Sequence, residues 1–173
     1  MQRNFPVCSS AELPTSAIDK FLNDSLAGFE RLVPGNNGAR CLTIVTAHNG
    51  SPDIPTEATT PPIRNFSSPF IGRSAEGIGM EILHQSYHCF AVLDERSGQD
   101  ETVIVGQRIG DEIQTVRANF GSAQLLMQNL AIVNVDMGEA KHHAETDGGV
   151  YRLSDPPRAQ QGGYAPPKRL GGP

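Results

Sequence analysis

The hydrophobic pattern changes period several times along this chain, and each change marks an element. Cys89 to Leu93 is an unbroken apolar run of residues suited to a pleated, buried surface, and Thr102 to Val105 is a second. Between them Asp94 to Glu101 is polar throughout and contains Gly98, which can take a positive φ without steric cost. The pattern predicts two strands joined by a loose turn, a β-hairpin over about 87–106. Neither run alternates polar with apolar, so both faces are expected to be covered, with the hairpin inside a sheet packed by helices.

Upstream, residues 1–14 are polar with two prolines and are expected to be a flexible N-terminus. Ile18, Phe21, Leu22, Leu26, Phe29, Leu32 and Val33 then fall on one helical face, behind a cap at Thr15 or Ser16 and ahead of a stop at Pro34-Gly35. Cys41 to Ala47 is ambiguous. Its β-branched residues favour a strand, whereas Leu42, Val45 and His48 sit at helical spacing behind Asn36, Asn37 and Gly38. Residues 49–72 contain Pro52, Pro55, Pro61, Pro62 and Pro69, which predicts a long loop, either a lid or binding loop or simply unstructured. Ser74 can cap a helix carrying Ile78 and Ile82 inward. Further on, Ile113, Val116, Phe120, Ala123, Met127 and Leu130 are helically spaced, predicting a helix around 122–130. Ala131 to Val135 is β-branched and predicts a last strand. Residues 153–173 are a Pro/Gly-rich tail with too little apolar surface to offset the entropy of ordering.

These elements imply an α+β fold: a single domain over 15–152, with a small, mostly antiparallel sheet around the central hairpin, packed by two or three helices. A length of 173 residues suits one domain with a proper core. The net charge of -5 without any Lys/Arg-rich run argues against nucleic acid as a partner. No stretch approaches a transmembrane span, and the first residues lack the apolar core of a secretory leader. A soluble protein is expected, cytoplasmic or delivered by another export route.

The chemistry-bearing residues are few. Cys8, Cys41 and Cys89 match no disulfide framework or paired-cysteine metal site, and reduced thiols are expected. His84 and His88, with Cys89, His142 and His143, are of zinc-ligand type, but the spacing fits no zinc motif, and neither a metal nor another cofactor is expected. Antiparallel pairing about Gly98 sets His88 opposite Gln107 or Arg108. A histidine held by an amide is the arrangement a thiol enzyme uses to fix its general base; the alternative is a histidine at a strand start, satisfied by backbone. Cys41 after a turn, His88 opening a strand and Gln107 across the hairpin are together the one catalytic constellation in the sequence.

Three stretches carry a resemblance. VPGNNGARCLTIVTAHNGSP approaches a cysteine through Asn and Gly, YHCFAVLDERSG opens a strand with histidine, and VIVGQRIG closes a second strand with Gly-Gln. Over about the middle 70 residues the chain resembles the papain-fold toxin family of bacterial polymorphic toxins and effectors, members of which are implicated in deamidating protein glutamine. The family pattern has an aspartate before Gly-Gln where this chain has Val105, and an asparagine-cysteine pair where Arg40 precedes Cys41. The resemblance implies a thiol-dependent hydrolase or protein-glutamine deamidase acting on a protein substrate. Cys41, opening a helix, would be the nucleophile, His88 the general base and Gln107 the orienting group. The alternative is a non-enzymatic protein-binding or accessory module, acting through the Pro-rich loop or the C-terminal tail.

Overall fold

The runs of apolar residues that organise the chain do pair, in an order the local pattern alone does not reveal. In a computed structural model of the protein, residues 4–35, 38–83 and 88–154 are described. They form, in order, β1 (Phe5–Ser9), α1 (Thr15–Leu32), β2 (Leu42–Ile44), β3 (Thr46–His48), β4 (Ser51–Asp53), α2 (Ala75–Ile82), β5 (Cys89–Leu93), the single helical turn α3 (Ser97–Asp100), β6 (Thr102–Ile109), β7 (Glu112–Asn119), α4 (Phe120–Ala131) and α5 (Met137–Thr146). The fold is α+β, as expected.

Five strands make one mixed sheet in the order β2-β1-β5-β6-β7, and β3 and β4 pair separately. β1 lies parallel between β2 and β5, while β5, β6 and β7 form an antiparallel meander. The sheet is therefore half parallel by pairing, and less antiparallel than the hairpin alone implied. The reason is β1. Residues 5–9, within the stretch expected to be flexible, are buried throughout and form an interior strand of the sheet, between β2 and β5. Phe5-Pro6-Val7-Cys8 alternates the two faces, with Phe5 and Val7 in one core and Cys8 in the other. A proline is tolerated here next to the strand's start, where one lost amide donor is affordable.

Both faces are covered. One core packs the β5 side chains Cys89, Ala91 and Leu93 against α1, α4 and α5. The other packs Phe90 and Val92 against Ile78 and Ile82 of α2 and against Phe70. Four helices rather than two or three cover the sheet, because α5, unread in the sequence, buries Met137, Ala140 and Ala144 over β7. Helices α1 and α4 approach closely at Gly28, where a Cβ would stand 1.9 Å from the Gly121 carbonyl oxygen. Only a glycine allows this crossing. Beside it Ser25 donates to the Phe120 carbonyl at 2.9 Å, and Phe21 meets Phe120 edge-on at 5.0 Å. Helix α1 begins at Thr15, and its N-cap is Pro14, which makes no side-chain cap bond, one residue before the earlier of the two caps the sequence offered.

The Pro-rich segment 49–72 is built into the fold. Asn49 and Gly50, both at positive φ, turn β3 into β4. Downstream, Thr59 donates to Leu42 O at 2.8 Å, Ile63 to Asp19 Oδ1 at 2.9 Å and Gly72 to Ser10 O at 2.8 Å, and Phe70 is fully buried. Thr59 and its neighbours thus close the outer edge of β2. The segment expected as a β-strand over 131–135 is no strand; it forms the C-terminal turn of α4. Conversely β7 occupies 112–119, inside the stretch whose spacing looked helical. The tail expected over 153–173 lies outside the described residues from 155 onward.

Candidate functional site

Strand register decides whether the three sequence candidates meet. The β5–β6 pairing puts Cys89 opposite Gln107, and the Arg108 amide donates to His88 O at 3.0 Å. His88 is thus opposite Arg108, within the expected register. Residues adjacent along a strand point to opposite faces. Gln107 shares the α4 face with Cys89, and its Nε2 donates to Leu130 O at 3.4 Å. Arg108 reaches the α2 face, donating to Leu83 O at 3.4 Å. His88, exposed and opposite Arg108, goes with that face. Histidine and glutamine are divided by the sheet.

Cys41 is further away. It immediately precedes β2, so the strand alternative holds and no helix N-terminus adjoins its sulfur. It is 0% exposed, belongs to the core shared with α4, and accepts a hydrogen bond from Gln128 Nε2 at 3.5 Å. Two strands, β1 and β5, separate β2 from β6, a span of about 14 Å at the usual interstrand spacing, so Gln107 does not reach it. Burial pushes the Cys41 thiol up to about 12, with the Gln128 bond a smaller opposing effect. Burial does the same to Cys89, also to about 12, and raises Cys8 further. All three thiols are free and buried. A nucleophilic cysteine needs a lowered pKa and access, and the described structure gives Cys41 neither.

His142 and His143 lie on α5, with the His143 ring 4.7 Å from Tyr151; His84 lies outside the described residues. Among the described residues no group of three or more His, Cys, Asp or Glu is placed to hold a metal ion. Asp94 pairs with Arg117 and accepts from the Ser97 amide and hydroxyl at 3.1 Å each, while Arg117 Nη1 also reaches Thr102 Oγ1 at 2.9 Å. Burial alone would raise the Asp94 carboxyl, but the Arg117 and Ser97 contacts outweigh it and hold it below the ordinary carboxylate range. This network pins the β5–β6 turn to β7. A cleft of about 460 Å³ opens between α1, α3 and the start of α4, lined among others by Asp24, Glu101, Asn119 and Arg152. Its acids are paired, Lys20 meeting Asp24 at 2.6 Å and Glu101 at 3.5 Å, and no nucleophile faces it.

The conspicuous surface lies at the other end of α4. Ile132 is 73% exposed and Val133 82%. The helix closes with the Asn134 amide on Asn129 O at 2.9 Å and the Val133 amide on Leu130 O at 3.3 Å, the two bonds of a Schellman turn. That turn needs a left-handed residue, usually glycine, and here Val133 fills it at φ 60. A β-branched side chain in that conformation is strained. The apolar contact that normally closes the turn is replaced by an amide pair, Asn134 Nδ2 to Asn129 Oδ1 at 3.4 Å. The two apolar side chains therefore stand outward. Ile109, 44% exposed, follows Gln107 on the same face of β6 and belongs to the same end of the sheet. Asp111 in the β6–β7 turn, paired with Arg108 at 3.6 Å, Glu112 at the start of β7, and Asp136 and Glu139 opening α5 supply charges in the adjoining segments. Sequence reasoning missed this surface because it placed 131–135 in a sheet.

No helix among the described residues is long and apolar enough to cross a membrane. Compared with known proteins, the chain matches no family model, no curated protein and no solved structure.

Proposed function

We propose that this chain is a non-enzymatic protein-binding module whose contact surface is the C-terminal end of α4. The observation that carries this reading is the pair Ile132 and Val133, standing 73% and 82% exposed on a strained left-handed turn. Strain of this kind persists where the surroundings hold it, and it concentrates at functional positions. Burying both side chains under a partner contributes about 2–4 kcal/mol by the usual value for burying a Val or Ile. With Ile109 alongside, they form an apolar centre inside a charged surround, the layout of a protein contact. The thiol hydrolase reading has no such support, since it requires Cys41, His88 and Gln107 at one place.

A photo-crosslinking side chain at Asn134, next to the pair and exposed, tests the proposal, with the same probe at Asp53 on the β4 edge as control. One discrete protein adduct from position 134, absent from position 53 and lost on Ile132→Ser, is the expected result. No adduct, or equal adducts from both positions, refutes it.

A further inference from the structure

We infer that the apolar patch at the end of α4 is covered in cis by the chain's own segment Lys168-Arg169-Leu170, which competes with the partner. The inference rests on the reading of the patch as a docking surface, and it adds the regulation of that surface.

Charge is the first ground. Lys168-Arg169 is the one place in the whole sequence where two cations are adjacent, and an apolar residue, Leu170, follows directly. Residues 155–173 hold Arg158, Lys168 and Arg169 against Asp155, a balance of +2, so the rest of the chain carries -7 of the total -5. The segments carrying Ile109, Ile132 and Val133 also hold Asp111, Glu112, Asp136 and Glu139 against Arg108, which pairs with Asp111 at 3.6 Å, and Lys141, which meets Gln114 at 3.1 Å, so acids remain in excess. A second copy of the same patch would bring like charges together, whereas the Lys-Arg-Leu segment is complementary in both sign and apolarity.

Reach is the second ground. The described chain ends beside the start of α4, where the Leu153 amide donates to Ser122 Oγ at 2.9 Å. From Ser122 to Val133 the helix covers about 16 Å at its usual rise. The chain from residue 155 to Lys168 can span at most about 45 Å, so the tether reaches the patch. Tethering over this length gives an effective concentration on the order of millimolar, at which a contact of millimolar strength is half-occupied.

The test uses the full chain. Because Cys8, Cys41 and Cys89 are buried, a spin label on Gly171→Cys is selective. Broadening of the Ile109, Ile132 and Val133 methyl signals is expected, unaffected by dilution, absent at the exposed Ile71, and removed by Lys168→Glu with Arg169→Glu. The same charge reversal is expected to raise partner crosslinking at position 134 by about twofold, as release from a half-occupied state requires. Absence of broadening, insensitivity to the charge reversal, or broadening that disappears on dilution, which would make the occupant a second copy, overturns the inference. If broadening fails while the adduct at position 134 persists, only the cis contact is wrong; if the adduct is also absent, the docking surface itself is.

Discussion

Replacing Val133 by glycine should stabilise the isolated protein slightly while weakening the proposed docking contact. Val133 sits at φ 60. For a residue with a Cβ the left-handed conformation costs roughly 1–2 kcal/mol, which glycine does not incur. Against this, glycine adds unfolded-state entropy worth about 0.5–1 kcal/mol. Loss of the side chain itself matters little, because it is 82% exposed and its burial contributes no more than about 0.5 kcal/mol. The balance runs from a loss of about 0.5 to a gain of about 1.5 kcal/mol and centres on a gain of about 0.5 kcal/mol, with the Schellman hydrogen bonds of the turn preserved. For a domain of this size the centre corresponds to a Tm increase of about 1–2 °C. Urea denaturation followed by circular dichroism should show the midpoint rising at unchanged slope. A fall of 1 kcal/mol or more, on the order of the cost of losing a packed methyl pair, would show that the Val133 side chain is held by contacts and would refute the strained, outward-facing turn.

Other perturbations follow from the fold and the buried groups. Gly28→Ala should destabilise by more than about 2 kcal/mol in thermal unfolding, since its Cβ would meet the Gly121 carbonyl oxygen 1.9 Å away and force α1 off α4. Unchanged stability would mean the two helices do not cross there. Asp94→Asn should cost about 1.5–3 kcal/mol at neutral pH by leaving Arg117 without its carboxylate. The Asp94 carboxyl is lowered in the fold, so its contribution is present above the unfolded carboxylate range and is lost as pH falls through the folded value. The difference between wild type and variant should therefore begin to shrink below about pH 4 and close only below the folded value; a constant difference down to pH 2 would show that the charge is not what the network uses. Cys41, raised to about 12, holds on the order of one thiolate in ten thousand at pH 8. Its alkylation should follow the unfolding rate and be unaffected by His88→Ala; fast native-state reaction sensitive to His88 would restore the thiol-enzyme reading.

The central hairpin was legible because it is local. Cys89–Leu93 and Thr102 onward are long apolar runs around a polar turn, and the sequence placed His88 opposite Gln107 or Arg108, where the Arg108 amide indeed meets His88 O. Its face assignment was not legible, since a shift of one residue exchanges the two sides of a strand. That single step separates His88 from Gln107 and dissolves the candidate site. β1 escaped notice because Phe5–Ser9 is short and proline-containing, and its burial depends on β2 and β5, distant in sequence. The Gly110-Asp111 turn, with Gly110 at φ 61, was a readable hairpin signal between β6 and β7 that the helical spacing of Ile113 and Val116 masked. Ile132, Val133 and Val135 favour a strand by local propensity, and the fold bends the segment into a helix end instead. Local preference and tertiary structure disagree most sharply at Val133, the same residue that stands outward on the proposed docking surface.

The affinity of the protein captured at position 134 for wild type and for Ile132→Ser tests the central claim most directly. A loss of about 10–100-fold with the fold intact by circular dichroism is the outcome expected of a central apolar contact. Affinity unchanged within about twofold, smaller than any single buried side chain at a contact centre would produce, would place the partner elsewhere and contradict the account.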